Sequence, residues 1–369
     1  IRLRQIKYKY FSDKSLYLWD LCFAFFDRAK KVVVETGQKD YLLVKNFNIV
    51  FEAMIDELVG DPRDTMPSGL KDQDDGKRID HLYSYRGLMN YDEDKPVYYI
   101  GDSKYYKRNN PVGKNSVYKQ FTYARNVIQW NLNLFMSDTD DEEIINDKKN
   151  FGHIAKLRDD ETEGYNIIPN FFISATMDKD LNYSRDGIDR TEKRRDRFTS
   201  CQFQNRLFDR DTLLVCHYDV NFLYVLALYA KDDSSEKRSW KEKVRKLFRE
   251  EIQNVLKEKY TFYAMEAHPH IDGHKYLSEH FQDLLGKVYK PFDTHNTILS
   301  LALESDEKFK QENTKLVSKL KEYFYVEECP LGSDPVAAIE VAKTNNPVST
   351  IMTADADQEN ILIIRTKDK

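Results

Sequence analysis

Val97-Tyr98-Tyr99-Ile100-Gly101-Asp102-Ser103-Lys104-Tyr105 decides how this 369-residue chain is read. An apolar run meets a glycine and then delivers an acid and a base. The alternation of a strand puts Asp102 and Lys104 on one face and Ser103 on the other. Four tyrosines, Tyr98, Tyr99, Tyr105 and Tyr106, stand around the acidic end of the run. Charges that close an otherwise apolar strand cost free energy unless they are paired or used. A plain structural ion pair between Asp102 and Lys104 is the alternative reading. It fits poorly, because such a buried pair adds little net stability.

Working outward, Arg78-Ile79-Asp80-His81-Leu82-Tyr83 alternates well enough to predict a strand over 77–85, closed by Gly87. A charged turn at 91–95 joins it to the strand at 96–104, so the two are expected to be neighbours. Further upstream, Phe47, Val50, Phe51, Met54 and Leu58 recur at helical spacing and predict an amphipathic helix over 46–59. Glu52 sits on the shoulder of that stripe, while Asp56 and Glu57 read as solvated. Asp61-Pro62 ends the helix, because a residue before proline leaves the α region. Downstream, Phe121, Ala124, Ile128, Leu132 and Phe135 mark a helix over 117–135 that carries Lys119 and Gln120. The loop at 105–116 holds Lys107, Arg108 and Lys114, and basic residues among aromatics suit a polyanion lying over the acidic end.

This set of residues matches the needs of phosphodiester hydrolysis. That reaction requires a divalent ion on oxygen ligands, a water deprotonated near neutral pH, and positive charge for the phosphorane and leaving oxygen. Mg²⁺ is usually held by one or two carboxylates and keeps other positions for water and phosphate. Asp80 and Asp102, on adjacent strands, are the expected carboxylates, with the backbone carbonyl of Ser103 as a further oxygen. Lys104 is expected to orient the attacking water or stabilise developing charge. Glu52 is expected to bind a second metal or position water, and Gln120 or Lys119 to steady Lys104 or the phosphate. The pattern Asp/Glu-x-Lys alone says little, since Asp75-Gly76-Lys77, Glu93-Asp94-Lys95, Asp147-Lys148-Lys149 and Asp306-Glu307-Lys308 also match it. Only Asp102-Ser103-Lys104 ends a hydrophobic strand, with an apolar-Asp strand before it and a Lys-Gln helix after it.

These residues resemble the PD-(D/E)xK nuclease superfamily. Over 41–230, Phe51-Glu52, Ile79-Asp80, Gly101-Asp102-Ser103-Lys104-Tyr105 and Tyr118-Lys119-Gln120-Phe121-Thr122-Tyr123-Ala124 look like the nuclease subunits of McrC and LlaJI-type restriction systems. Ile79 stands where the superfamily commonly has proline. The resemblance implies an α/β fold: a restriction-endonuclease-like core with a central mixed sheet flanked by helices. Beyond it, the helical patterns at 240–257 and 307–323 predict a mostly helical C-terminal region. The resemblance implies Mg²⁺-dependent cleavage of duplex DNA, with Mn²⁺ as a substitute. Glu52, Asp80, Asp102, Lys104 and Gln120 would be catalytic, and Glu52, Asp80, Asp102 and Ser103 would ligate metal. Lys107, Arg108, Lys114 and Lys119 would contact DNA. It further implies partnership with a separate AAA+ GTPase. Duplex cleavage needs two cuts, which a homodimer would supply. Nothing ahead of residue 41 matches a DNA-reading domain, which leaves sequence recognition to 233–369, a preceding segment or a partner. A repair or recombination nuclease of the same fold is a second reading. A non-catalytic DNA-binding subunit is a third, opposed by the intact Asp80, Asp102 and Lys104.

The remainder of the chain sets limits. A net charge of −5 argues against coating nucleic acid by bulk charge but leaves room for a local basic groove. Cys22, Cys201, Cys216 and Cys329 show no paired spacing, so a reduced, cytoplasmic protein is expected. No signal peptide and no membrane-spanning apolar run stands in the sequence. The chain starts at Ile1 without Met, as a fragment would. No GxxxxGK[ST] or GxSxG is present, which excludes a P-loop and a serine-hydrolase elbow. Residues 1–40 are expected to form a helical N-terminal segment, with a buried helix around 16–26. The nuclease domain is expected over 41–232 and an α+β accessory region over 233–369, parted at the polar run 232–236. The run 137–147 reads as an acidic insertion and 185–197 as a solvated mixed-charge segment. Strands are expected near 165–177, 212–218 and 360–366, helices at 240–257 and 307–323, and a helix cap at Asp219. His268, His270, His274 and His280 cluster in sequence without the ligand spacing of a zinc site.

Overall fold

The computed structural model describes residues 19–20, 22–23, 46–67, 69–72, 78–88, 96–105, 114–136, 142, 145–146, 149, 168–177, 182–190, 199–200, 204–208, 212–232, 234–290, 297–346, 349–350 and 363–364. Trp19, Asp20, Cys22 and Phe23 are helical, and Trp19 stacks on Phe23 at 5.1 Å. The other residues of the expected 16–26 helix, and all but three residues of the 137–147 run, lie outside the described residues.

Helix α1 (Phe47–Val59) buries Phe51, Met54 and Leu58 of the expected stripe together with Ile55 and Val59, while Phe47 and Val50 pack against the same core only partly buried. It stops at Gly60, one residue before the Asp61-Pro62 pair. Its exposed carbonyls are taken by cations from a distant helix, described below. Strand β1 (His81–Arg86) pairs antiparallel with β2 (Pro96–Lys104), with His81 opposite Gly101. Helix α2 (Lys114–Met136) then crosses over to β3 (Pro169–Thr176), which lies parallel to β2. A crossover of this kind is what a parallel neighbour demands. The short strands β4 (Ile188–Arg190) and β5 (Thr199–Ser200) flank β6 (Thr212–Asn221), which is parallel to β3. The result is a mixed sheet in the order β1-β2-β3-β6-β4, with β5 also on β6.

Helices cover both faces, so the chain is α/β. Val97 and Tyr99 of β2 point into the larger core with Phe51, Phe171 and Phe248. Tyr98 and Ile100 point the other way, onto Tyr123 and Val127 of α2. Gly101 is required by close approach: a Cβ there would lie 2.1 Å from the Phe171 ring. That ring is itself held against Phe248, with centroids 4.8 Å apart.

Helix α3 (Phe222–Ala230) follows β6 without a loop. Its cap is Asn221, whose side chain accepts from the Leu223 N–H at 3.1 Å, rather than the expected Asp219, because β6 runs three residues further than 212–218. Helix α4 (Ser234–Lys259) starts inside the polar run 232–236, and its Trp240, Val244, Phe248 and Ile252 enter the same core as Phe51 and Phe171. From α4, Arg245 donates to the Val59 carbonyl from Nε at 3.0 Å and Nη2 at 2.7 Å, and Lys241 donates to the Gly60 carbonyl at 2.6 Å. Thus α4 closes the C-terminus of α1 with positive charge, where the helix dipole favours it.

Helix α4 passes directly into β7 (Tyr260–Ala267). After α5 (Gly273–Glu279) and α6 (Phe281–Leu284) come β8 (Val288–Tyr289), β9 (Ile298–Glu304), α7 (Glu307–Leu320), β10 (Phe324–Glu328) and α8 (Pro335–Asn345). The strands form an antiparallel sheet in the order β10-β7-β9-β8. The C-terminal region, expected to be mostly helical, is thus organised around a four-stranded sheet. A last pair, β11 (Ser349–Thr350) with β12 (Ile363–Ile364), includes part of the expected 360–366 strand. The histidines go to separate packing duties: His268 meets Tyr325 edge-on at 4.5 Å and His280 stacks on Tyr276 at 4.0 Å. Among the described residues, no helix is long and apolar enough to cross a membrane.

Candidate active site

The site forms where β1 ends its pairing with β2. Continuing the His81–Gly101 register by one residue sets Asp80 across from Asp102. Beyond that point β2 keeps its ladder only with β3, through Lys104 opposite Ser174. The strand alternation that turns Tyr98 and Ile100 toward α2 carries on to Asp102 and Lys104, and α2 brings Lys119, Gln120 and Tyr123 over them.

Asp102 is fully buried. The Lys104 Nζ lies 2.5 Å from Asp102 Oδ2, yet neither carboxylate oxygen of Asp102 takes a well-aligned hydrogen bond. Lys119 Nζ lies 3.8 Å from Asp80 Oδ2 and 5.1 Å from the Tyr123 ring. Burial, and then the nearby Asp80 carboxylate, push the Asp102 pKa up to about 7, against the opposing pull of Lys104. Glu52, from α1, is half-buried and joins the same field. Burial and Asp80 raise its pKa, while His81, Lys104 and Lys119 pull it back. Three carboxyl groups therefore face two ammonium groups in one partly dry corner.

That arrangement fits a divalent cation. Two neighbouring carboxylates, one of them fully buried, supply the hard oxygen donors Mg²⁺ prefers. Among the described residues, no three His, Cys, Asp or Glu side chains are grouped so that together they could hold a metal ion. The fit is to an ion that keeps water and substrate in its shell.

The structure brings together Glu52, Asp80, Asp102, Lys104 and Lys119. Gln120 is wholly buried beneath them on α2, and both its amide atoms lack a hydrogen-bond partner. The Ser103 side chain points to the opposite face and is also buried without a partner for its hydroxyl. Lys107, Arg108 and Tyr106 lie outside the described residues, and Lys114 is described only as the first residue of α2. Of the four tyrosines expected around the acidic end, Tyr98 and Tyr99 turn into packing instead. Tyr98 packs edge-on against Trp130 at 6.2 Å, and Tyr99 is core, its hydroxyl donating to the Arg86 carbonyl at 2.9 Å. Tyr105 leans on Phe47 and Phe222 at 5.5 and 5.7 Å.

Asp56, Lys71 and His81 were not expected to matter, and Asp56 is not solvated. Its Oδ1 accepts from the buried Lys71 ammonium at 2.6 Å and lies 3.5 Å from His81 Nδ1. Burial pushes the Asp56 carboxyl up, but the His81 ring and the Lys71 charge outweigh it and hold the pKa below the usual range. The sequence signal that could have found Asp56 is its place one helical turn after Glu52. No family model, curated protein or solved structure matches this chain.

Proposed function

We propose that this chain is a Mg²⁺-dependent nuclease of the PD-(D/E)xK type with a restriction-endonuclease-like core, hydrolysing phosphodiester bonds of duplex DNA. The observation that carries this reading is the meeting of Asp80, Asp102 and Lys104 at a buried strand end, with Asp102 fully buried and its Oδ2 against the Lys104 ammonium. Structural ion pairs do not need two acids pressed together at the cost of a raised pKa.

Asp80 and Asp102 would hold the ion, with the Ser103 carbonyl and Glu52 as further oxygens. Bound there, a divalent ion supplies Lewis acidity toward the phosphate and lowers the pKa of water. Lys104, fixed beside Asp102, would orient the attacking water and place positive charge where the phosphorane develops it. Lys119, facing Asp80 from α2, would hold a phosphate oxygen of the strand. Gln120 would donate from its amide nitrogen to the carboxylate or accept from the Lys104 ammonium at its amide oxygen, and so keep Lys104 aimed. Lys107, Arg108 and Lys114 complete the proposed DNA contact. The role as the nuclease subunit of a restriction system with a separate AAA+ GTPase rests on the sequence resemblance, as do a homodimer and a cytoplasmic setting.

The test is incubation with plasmid DNA and Mg²⁺ or Mn²⁺, with and without a candidate GTPase and GTP. Cleavage that disappears in Asp102→Ala and Lys104→Ala, while DNA binding persists, supports the proposal. Identical behaviour of wild type and variants overturns it in favour of a DNA-binding subunit. Nicking selective for branched DNA, without need of a motor, assigns the same chemistry to repair.

A further inference from the structure

Glu52 and Asp80 come from different elements, one from α1 and the other from the residue before β1. Neither element alone fixes their spacing. The structure contains a device that does. Asp56 lies four residues after Glu52, on the same side of α1. Its Oδ1 is gripped by Lys71 Nζ at 2.6 Å and faces His81 Nδ1 at 3.5 Å. His81 directly follows Asp80, and its ring, fully buried, lies 6.5 Å from Phe171 and nearly parallel to it. Lys71 is buried as well, and its carbonyl accepts from the Ile79 N–H at 3.0 Å. Asp72 and Arg78 form a further bridge one residue on, with Arg78 Nε 3.4 Å from Asp72 Oδ1. Asp80 is thereby flanked on one side by the Ile79-to-Lys71 backbone hydrogen bond and on the other by the His81 ring, which lies against the Asp56 carboxylate without a hydrogen bond to it, while Lys71 grips that same carboxylate.

We propose that Asp56, clasped by Lys71 and His81, is a positioning residue that sets Glu52 against Asp80 and so fixes the spacing of the metal-binding carboxylates. The proposal rests on the metal-site reading above. A buried lysine and a buried histidine converging on one carboxylate are costly to assemble for stability alone, since an apolar cluster would serve as well. Here they lock a helix to the start of a strand at the one place where each presents a proposed ligand. Residues behind a metal's own ligands typically change its affinity by roughly 10–100-fold when altered.

The experiment titrates Mn²⁺ by electron paramagnetic resonance into wild type, Asp56→Asn, Glu52→Gln, the double variant and Asp102→Asn, all below their melting temperatures. Asp56→Asn is expected to weaken Mn²⁺ binding roughly tenfold, and to add nothing in the Glu52→Gln background, where the displaced ligand is already gone. A thermal shift without any change in Mn²⁺ affinity overturns the proposal, as does an equal loss in both backgrounds. If wild type and Asp102→Asn take up Mn²⁺ alike, the metal-site reading itself fails and takes this one with it. Should Asp56→Asn not fold, Lys71→Met keeps the carboxylate and removes its clasp, and the same non-additivity with Glu52→Gln is required of it.

Discussion

Replacing Asp102 with Asn should make the metal-free protein more stable while destroying its activity. Asp102 is fully buried beside Asp80, and its pKa rises from an ordinary 3.8 to about 7. A folded-state pKa above the unfolded value means the folded chain holds this proton more tightly. The group's destabilising contribution is absent below about pH 4, grows between about pH 4 and pH 7, and is complete above that. At about 1.4 kcal/mol per unit, the ceiling is roughly 4 kcal/mol. Asn stands in for the protonated acid, and the pull of the Lys104 ammonium, 2.5 Å away, is already contained in that pKa. The net expectation is a gain of up to roughly 4 kcal/mol near pH 8 in EDTA, falling to about zero near pH 4. Urea denaturation at both pH values measures it. Added Mg²⁺ should then stabilise the wild type and not the variant, since only a folded state that binds the ion benefits. An Asn variant less stable than wild type near pH 8 without metal would refute the claim that two acids are held together there at a cost.

Other expectations follow from the same geometry. Lys104→Met should lower cleavage about 10²–10³-fold, judged from the loss of one charge-stabilising donor, with duplex affinity in a gel-shift assay nearly unchanged. Gly101→Ala should cost about 3 kcal/mol or more, because the added methyl meets the trapped Phe171 ring. Urea unfolding of Gly101→Ala and of Gly101→Ala/Phe171→Ala checks this, the second change restoring part of the loss. Gln120→Leu should leave the melting temperature level or higher, since both amide atoms of Gln120 are buried without partners, yet reduce cleavage.

Much of the site was legible because strand periodicity carries directional information. Pro96–Lys104 has the bounds its pattern predicts, and Asp102 and Lys104 share a face as that pattern requires. The hairpin partner was legible from a short polar connection, and α1 from its apolar stripe. The aromatic surroundings were not. Tyr98 and Tyr99 adjoin the acid in sequence, but alternation sends them into two different cores. Asp56 was misjudged because its partners, Lys71 and His81, arrive from 15 and 25 residues away through a loop without periodicity. The C-terminal sheet was missed for a related reason. Tyr260–Ala267 and Phe324–Glu328 are short, and their apolar residues count only once β9 lies between β7 and β8. Asp219 lost the cap because β6 stays in register with β3 as far as Asn221.

The long helix Ser234–Lys259 has one end stapled to the tail of the Glu52 helix through Arg245 and Lys241, and the other continuous with a strand of the second sheet. No loop therefore lies between the second sheet and the helix that closes the Glu52 helix, and Val59, where Arg245 holds it, stands two turns from the acid that faces Asp80.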